Sequence, residues 1–137
     1  MDITINYLAV FVAGLVSFGI GWVWYSPSVF GTLWMQGGRM DTAMMEASKK
    51  KMPLMAGAAF IAQLIAAYVI AHFLPLLGIM DVTGALQFAF WVWLGLTAVP
   101  MLGMVLWEMK SLGYYAITAG YWLIGFGVIS SILVLWA

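Results

Sequence analysis

Apolar residues fill this chain in four long runs, at about 5–25, 54–76, 84–107 and 113–136, and the stretches between them hold nearly all of its charge. A helix crosses the roughly 30 Å hydrocarbon core of a bilayer in about 20 apolar residues, and each run is near that length. The pattern predicts an all-α integral membrane protein with four transmembrane helices in a bundle, a single membrane domain over residues 1–137. With four spans, the first and third connections share a face. They contain Arg39, Lys49, Lys50, Lys51 and Lys110, which are all five basic residues. The positive-inside bias assigns loops 26–53 and 108–112 to the cytoplasm. Both termini and the short second connection, whose only charge is Asp81, then lie outside.

The first run reads as a retained span. A cleaved signal begins with basic residues and ends at a small-residue site, whereas here Asp2 is the only early charge and the run continues into Trp22, Trp24 and Tyr25. Asp2, Thr4 or Asn6 offers a helix cap, and Pro27 stops the helix. In the following segment Val29, Phe30, Leu33 and Trp34 form one apolar stripe. That spacing predicts an amphipathic interfacial segment lying half-buried along the inner membrane surface. Gln36, Gly37 and Gly38 break it, and a short helix starts at Asp41 or Thr42 and runs to Lys51. Pro53 opens the second span, with a bend at Met52.

Small residues predict where helices approach closely. In the first span Ala9, Ala13, Ser17 and Gly21 recur every four residues and form an association ridge over more than three turns. The second span carries Ala59, Ala67 and Ala71 around Gln63, with Ala58, Ala62 and Ala66 beside them. Such ridges serve packing within one protomer or between subunits. Four candidate polar positions interrupt the spans: Gln63, His72, Gln87 and Thr97. Gln63 reads as interhelical glue, and His72 as a neutral ring bonded to a carbonyl or water near the outer end, or else as a functional group. Pro100 predicts a kink near Val99.

Composition narrows the chemistry further. Only 7% of residues are charged and the formal net charge is zero, so no nucleic-acid partner is expected. The basic residues beside the membrane suit anionic lipid headgroups instead. Without cysteine there are no disulfides, thiolate sites or thiol nucleophiles. One histidine excludes the usual structural zinc sites and bis-histidine haem within one chain. Asp2 and Asp81 lie a membrane away from Asp41, Glu46 and Glu108, so no acid–base pair spans the two groups. No catalytic residue, metal ligand or cofactor is expected.

The run Trp24, Tyr25, Ser26, Pro27, then Phe30, Gly31 and Trp34, read as WYSPSVFGTLW, together with Ala119-Gly120-Tyr121 in the last span, resembles the bacterial membrane protein family catalogued as domain of unknown function 1761. The resemblance covers most of the chain. It implies a small four-span protein of the bacterial cytoplasmic (inner) membrane and carries no catalytic residues over. The reading that follows is a non-enzymatic membrane protein acting by helix–helix association, as a homo-oligomer or as an accessory subunit of a membrane complex. Its partners are then membrane lipids and either itself or another membrane protein. An oligomeric carrier or channel for a small solute or ion is the alternative.

Overall fold

The computed structural model describes residues 4–136, so the Asp2 cap lies outside the described residues. Helix α1 (Tyr7–Trp24) starts where Asn6 Oδ1 accepts the amide of Ala9 at 3.1 Å. Two short helices, α2 (Gly31–Gly37) and α3 (Thr42–Lys50), fill the first connection. Asp41 caps α3 by accepting from the Met44 amide at 2.8 Å, and Lys51 is the single residue between α3 and α4 (Met52–Leu76). Pro53 sits in the first turn of α4, where its missing N–H leaves no helical bond unmade. Asp81 and Ser111 cap α5 (Val82–Trp93) and the last long helix in the same manner.

Among the described residues four helices are long and apolar enough to cross a membrane: Tyr7–Trp24, Met52–Leu76, Val82–Leu106 and Leu112–Leu135. Their ends depart from those of the apolar runs by no more than a couple of residues. The third is not regular. After α5 comes a π-helical turn, Leu94–Ala98, then α6 (Val99–Met101) and α7 (Gly103–Leu106). The break therefore starts a turn before the expected kink at Val99. Pro100 has no N–H to offer the carbonyl of Leu96, and the preceding turn widens so that Val99 N–H reaches Leu94. Tyr115 Oη donates to the Ala98 carbonyl at 2.6 Å, giving this turn a polar partner from the last helix.

That last helix, α8 (Leu112–Leu135), is the most buried of the four and the one on which the others assemble. It packs against α1, α4 and α5, while α1 also lies along α4. Val10, Ala13, Ala67, Ile70, Leu74 and Ile129 form the main core. Lipid tails are as apolar as these side chains, so burial alone does not hold the helices together; close dispersion contact and interhelical hydrogen bonds do. At one end of the molecule Asn6 Nδ2 donates to the Trp136 carbonyl. At the other end the Ser111 amide donates to the Gly37 carbonyl at 3.0 Å and Lys110 Nζ to the Gly38 carbonyl at 2.8 Å. The two basic connections are thus tied to each other, and the two ends of the described chain meet on the opposite side.

Candidate functional site

The aromatic block after α1 folds into a tight junction. The Phe30 amide returns to the Trp24 carbonyl and the Gly31 amide to the Ser26 carbonyl, at 3.1 and 2.9 Å, so the chain reverses directly onto the end of α1. A Cβ on Gly31 would stand 2.8 Å from both the carbonyl carbon and oxygen of Ser26, which explains why the pattern reads Phe-Gly at this point. The Trp24 ring packs on Phe30 with centroids 4.7 Å apart, and its Nε1 donates to the Ile117 carbonyl at 2.9 Å. Tyr25 meets Trp34 and Tyr121 edge-on. Trp34 stacks on Tyr114 at 5.1 Å and donates to Thr118 Oγ1, which itself donates to the Tyr114 carbonyl.

The stripe expected to dip into lipid is therefore divided. Val29 and Leu33 are exposed, but the ring of Phe30 packs on Trp24 and that of Trp34 turns toward α8, which offers a ring to stack on and a hydroxyl for the indole N–H. The same logic joins Trp93 Nε1 to the Ala119 carbonyl at 2.6 Å. Thr118, Tyr114, Tyr115 and Trp93 were not singled out from sequence. Their signal was present only as the general need of indole and phenol groups for partners.

The ridge Ala9, Ala13, Ser17 and Gly21 faces the chain's own helices. Ala9, Ala13 and Ser17 are fully or almost fully buried, and a Cβ on Gly21 would lie 2.8 Å from the Tyr121 hydroxyl. Ser17 is the centre of a small polar network. Its Oγ donates to Gln63 Oε1 at 2.7 Å and its carbonyl accepts from Tyr121 Oη at 2.9 Å, linking α1 to both α4 and α8. Gln63 is 3% exposed, and its Oε1 is engaged in this contact.

The other polar positions do not join it. His72 lies nine residues further along α4, with Nδ1 2.9 Å from the Tyr68 carbonyl and its ring edge-on to Tyr68. Thr97 is half-buried within the π-turn. Gln87 is exposed on α5, on the side opposite Ala85 and Ala89, which are buried. These four residues line no common path. Among the described residues no group of three or more His, Asp or Glu is placed to hold a metal ion.

A cleft of about 530 Å³ opens beside the junction, between α1, α4 and α8. Phe18, Gly21, Trp22 and the turn Tyr25–Pro27 form one wall, α4 from Met52 to Gln63 the second, and Tyr121 with Trp122 the third. Its size is that of a small-molecule site, and its lining is predominantly apolar with a few polar groups.

A family model described as "Protein of unknown function (DUF1761)" matches residues 8–134, nearly the whole chain, and the chain belongs to that family. No curated protein and no solved structure matches it.

Proposed function

We propose that this DUF1761 member is a non-enzymatic protein of the bacterial cytoplasmic membrane that works by associating with a second copy of itself through the outer face of its third span. Gln87 carries the reading. Val82–Leu106 is the least buried span, and α5 packs chiefly on α8. Its free face holds Leu86, Phe90, Trp91 and Leu94, all lipid-compatible, and one amide that is not. An amide left without a partner in hydrocarbon costs about 2–7 kcal/mol, whereas pairing across helices returns about 0.6–2 kcal/mol. A second copy bringing its own Gln87 to the same face satisfies both amides, as a two-fold contact does.

The small-residue ridge of α1 is occupied within the protomer, so association rests on α5 instead. In mild detergent and in bilayers the parent chain is expected as a dimer, and Gln87→Leu as a monomer of unchanged thermal stability. A parent that is monomeric throughout, or a Gln87→Leu variant of unchanged mass, overturns the reading. A larger complex recovered only with another membrane protein would instead make the chain an accessory subunit. An oligomeric carrier or channel draws less support, because Gln63, His72, Gln87 and Thr97 are scattered over different faces.

For orientation we take loops 26–53 and 108–112 as cytoplasmic and both termini as outside. The support is the convergence of the two basic connections on one end of the molecule. A reporter that works only outside the cytoplasm is expected to be active after the last residue and inactive in the Gly37–Gly38 turn. The reverse pattern refutes the assignment.

A further inference from the structure

The cleft between α1, α4 and α8 is a different surface from the outer face of α5, and the association reading does not use it. It exists because α4 presents Ala56, Ala59 and Ala62 where Phe18 and Trp22 of α1 and Trp122 of α8 stand around them. A hollow of about 530 Å³ beside hydrocarbon is filled by whatever apolar chain can enter, since an empty one leaves its lining without contacts. What distinguishes this hollow is its end. Met52 and Met55 line it, and the three residues before Met52 are Lys49, Lys50 and Lys51. All three lysines are exposed; Lys49 and Lys50 close the last turn of α3, and Lys51 joins it to the start of α4, which no side chain caps.

We propose that the cleft binds one acyl chain of an anionic phospholipid, with the lipid's phosphate held by Lys49–Lys51 where α3 meets α4.

Charge decides between this occupant and its nearest rival. The rings of Phe18, Trp22, Tyr25, Tyr121 and Trp122 resemble an aromatic cage for a lipophilic cation. Such a cation meets no carboxylate anywhere in the lining, and the three residues that precede the lining residue Met52 are all lysines. The same three groups attract an anionic headgroup by roughly 1 kcal/mol each near a membrane surface, about fivefold in affinity per lysine. The chain itself gains little by leaving one apolar environment for another, so the cleft supplies fit while the lysines supply preference. Met52 and Met55, flexible and unbranched, adapt to a tail of variable length.

The test uses the intact chain in detergent micelles doped with equal amounts of phosphatidylglycerol and phosphatidylcholine of identical tails, with retained lipid read by native mass spectrometry. Phosphatidylglycerol is expected to be retained at least about tenfold over phosphatidylcholine. Replacing Lys49, Lys50 and Lys51 together by Gln is expected to lower that retention by about 10- to 100-fold at low salt. Ala59→Trp, which fills the hollow and leaves the lysines in place, is expected to abolish it; should that variant fold poorly, Ala56→Phe serves the same purpose from the next turn.

Four results overturn the proposal. The first is equal retention of the two lipids. The second is unchanged retention in both filled-cleft variants, which leaves the lysines as a surface attraction only. The third is displacement of the lipid by inorganic phosphate at millimolar concentration, which reduces the site to an anion contact. The fourth is a change of oligomeric mass in the filled-cleft variants, which makes the hollow a seat for another protein segment. Because Gln87 lies on a different helix face, its own test can fail while this one holds.

Discussion

Replacing Gly31 by Ala isolates how the aromatic junction is built. The new Cβ meets only backbone, the carbonyl groups of Tyr25 and Ser26, so no side chain can swing aside to admit it. Moving from 2.8 Å at Ser26 to the 3.4 Å at which ordinary contact begins, the two segments must part by at least about 0.6 Å, and the Tyr25 carbonyl oxygen, closer still, demands more. The bonds that hold them together are the ones that suffer: Gly31 to Ser26 at 2.9 Å and Phe30 to Trp24 at 3.1 Å. Two hydrogen bonds at about 1 kcal/mol each, with about 1–3 kcal/mol for forcing in an extra methyl, give a loss of about 3–5 kcal/mol. Helix propensity returns less than about 1 kcal/mol at this first position of α2.

The assay is unfolding of the purified chain in mixed micelles by titration with a denaturing detergent, followed by tryptophan fluorescence, since Trp34 should leave Tyr114 as the junction opens. Gly19 and Gly57 supply internal controls, because a Cβ on either meets nothing within 4 Å. Gly19→Ala and Gly57→Ala are expected to be neutral or to stabilise by up to about 1 kcal/mol. A Gly31→Ala variant as stable as the parent refutes the account of the junction. So does an equal loss in either control, which would show that the measurement reads glycine number rather than local space.

Three further outcomes follow from the polar contacts. Ser17→Leu inserts bulk where the parent residue is fully buried between α4 and α8, and is expected to cost at least about 3 kcal/mol of stability, or expression altogether, without changing the mass of surviving protein; a change in oligomeric mass with stability intact would place the ridge between subunits. Tyr115→Phe removes the donor to the Ala98 carbonyl and is expected to lower stability by about 0.6–2 kcal/mol, measured by the same titration; no loss would mean that the π-turn satisfies itself. His72→Gln is expected to keep fold, assembly and stability within about 1 kcal/mol, since an amide replaces the one ring contact to the Tyr68 carbonyl; loss of a bound metal or haem on this change would contradict the structural role.

The spans and their caps were legible because each depends on local chemistry alone. An apolar run of bilayer length has one stable solution, a helix, and Asn6 and Asp41 are short polar side chains just ahead of a helical start; Asp81 and Ser111 cap their helices by the same chemistry but were not read as caps. The ridge on α1 was legible as small, yet spacing tells which face is small and not what covers it; only the fold shows that Tyr121, Gly125 and Gln63 do. The docking of Phe30 on Trp24 and of Trp34 on α8 was not legible for a related reason. A stripe of apolar residues suits lipid and protein equally, and the choice depends on whether an acceptor such as Thr118 stands within reach of the indole. The cleft was the least legible feature. Ala59 and Ala62 read as surfaces for close approach, which they would be against a slender neighbour. With Phe18, Trp22 and Trp122 around them the same lack of bulk leaves a hollow instead. Smallness along a helix is therefore an ambiguous sign: it allows contact or creates space according to the girth of what stands opposite, and that property belongs to other segments of the chain.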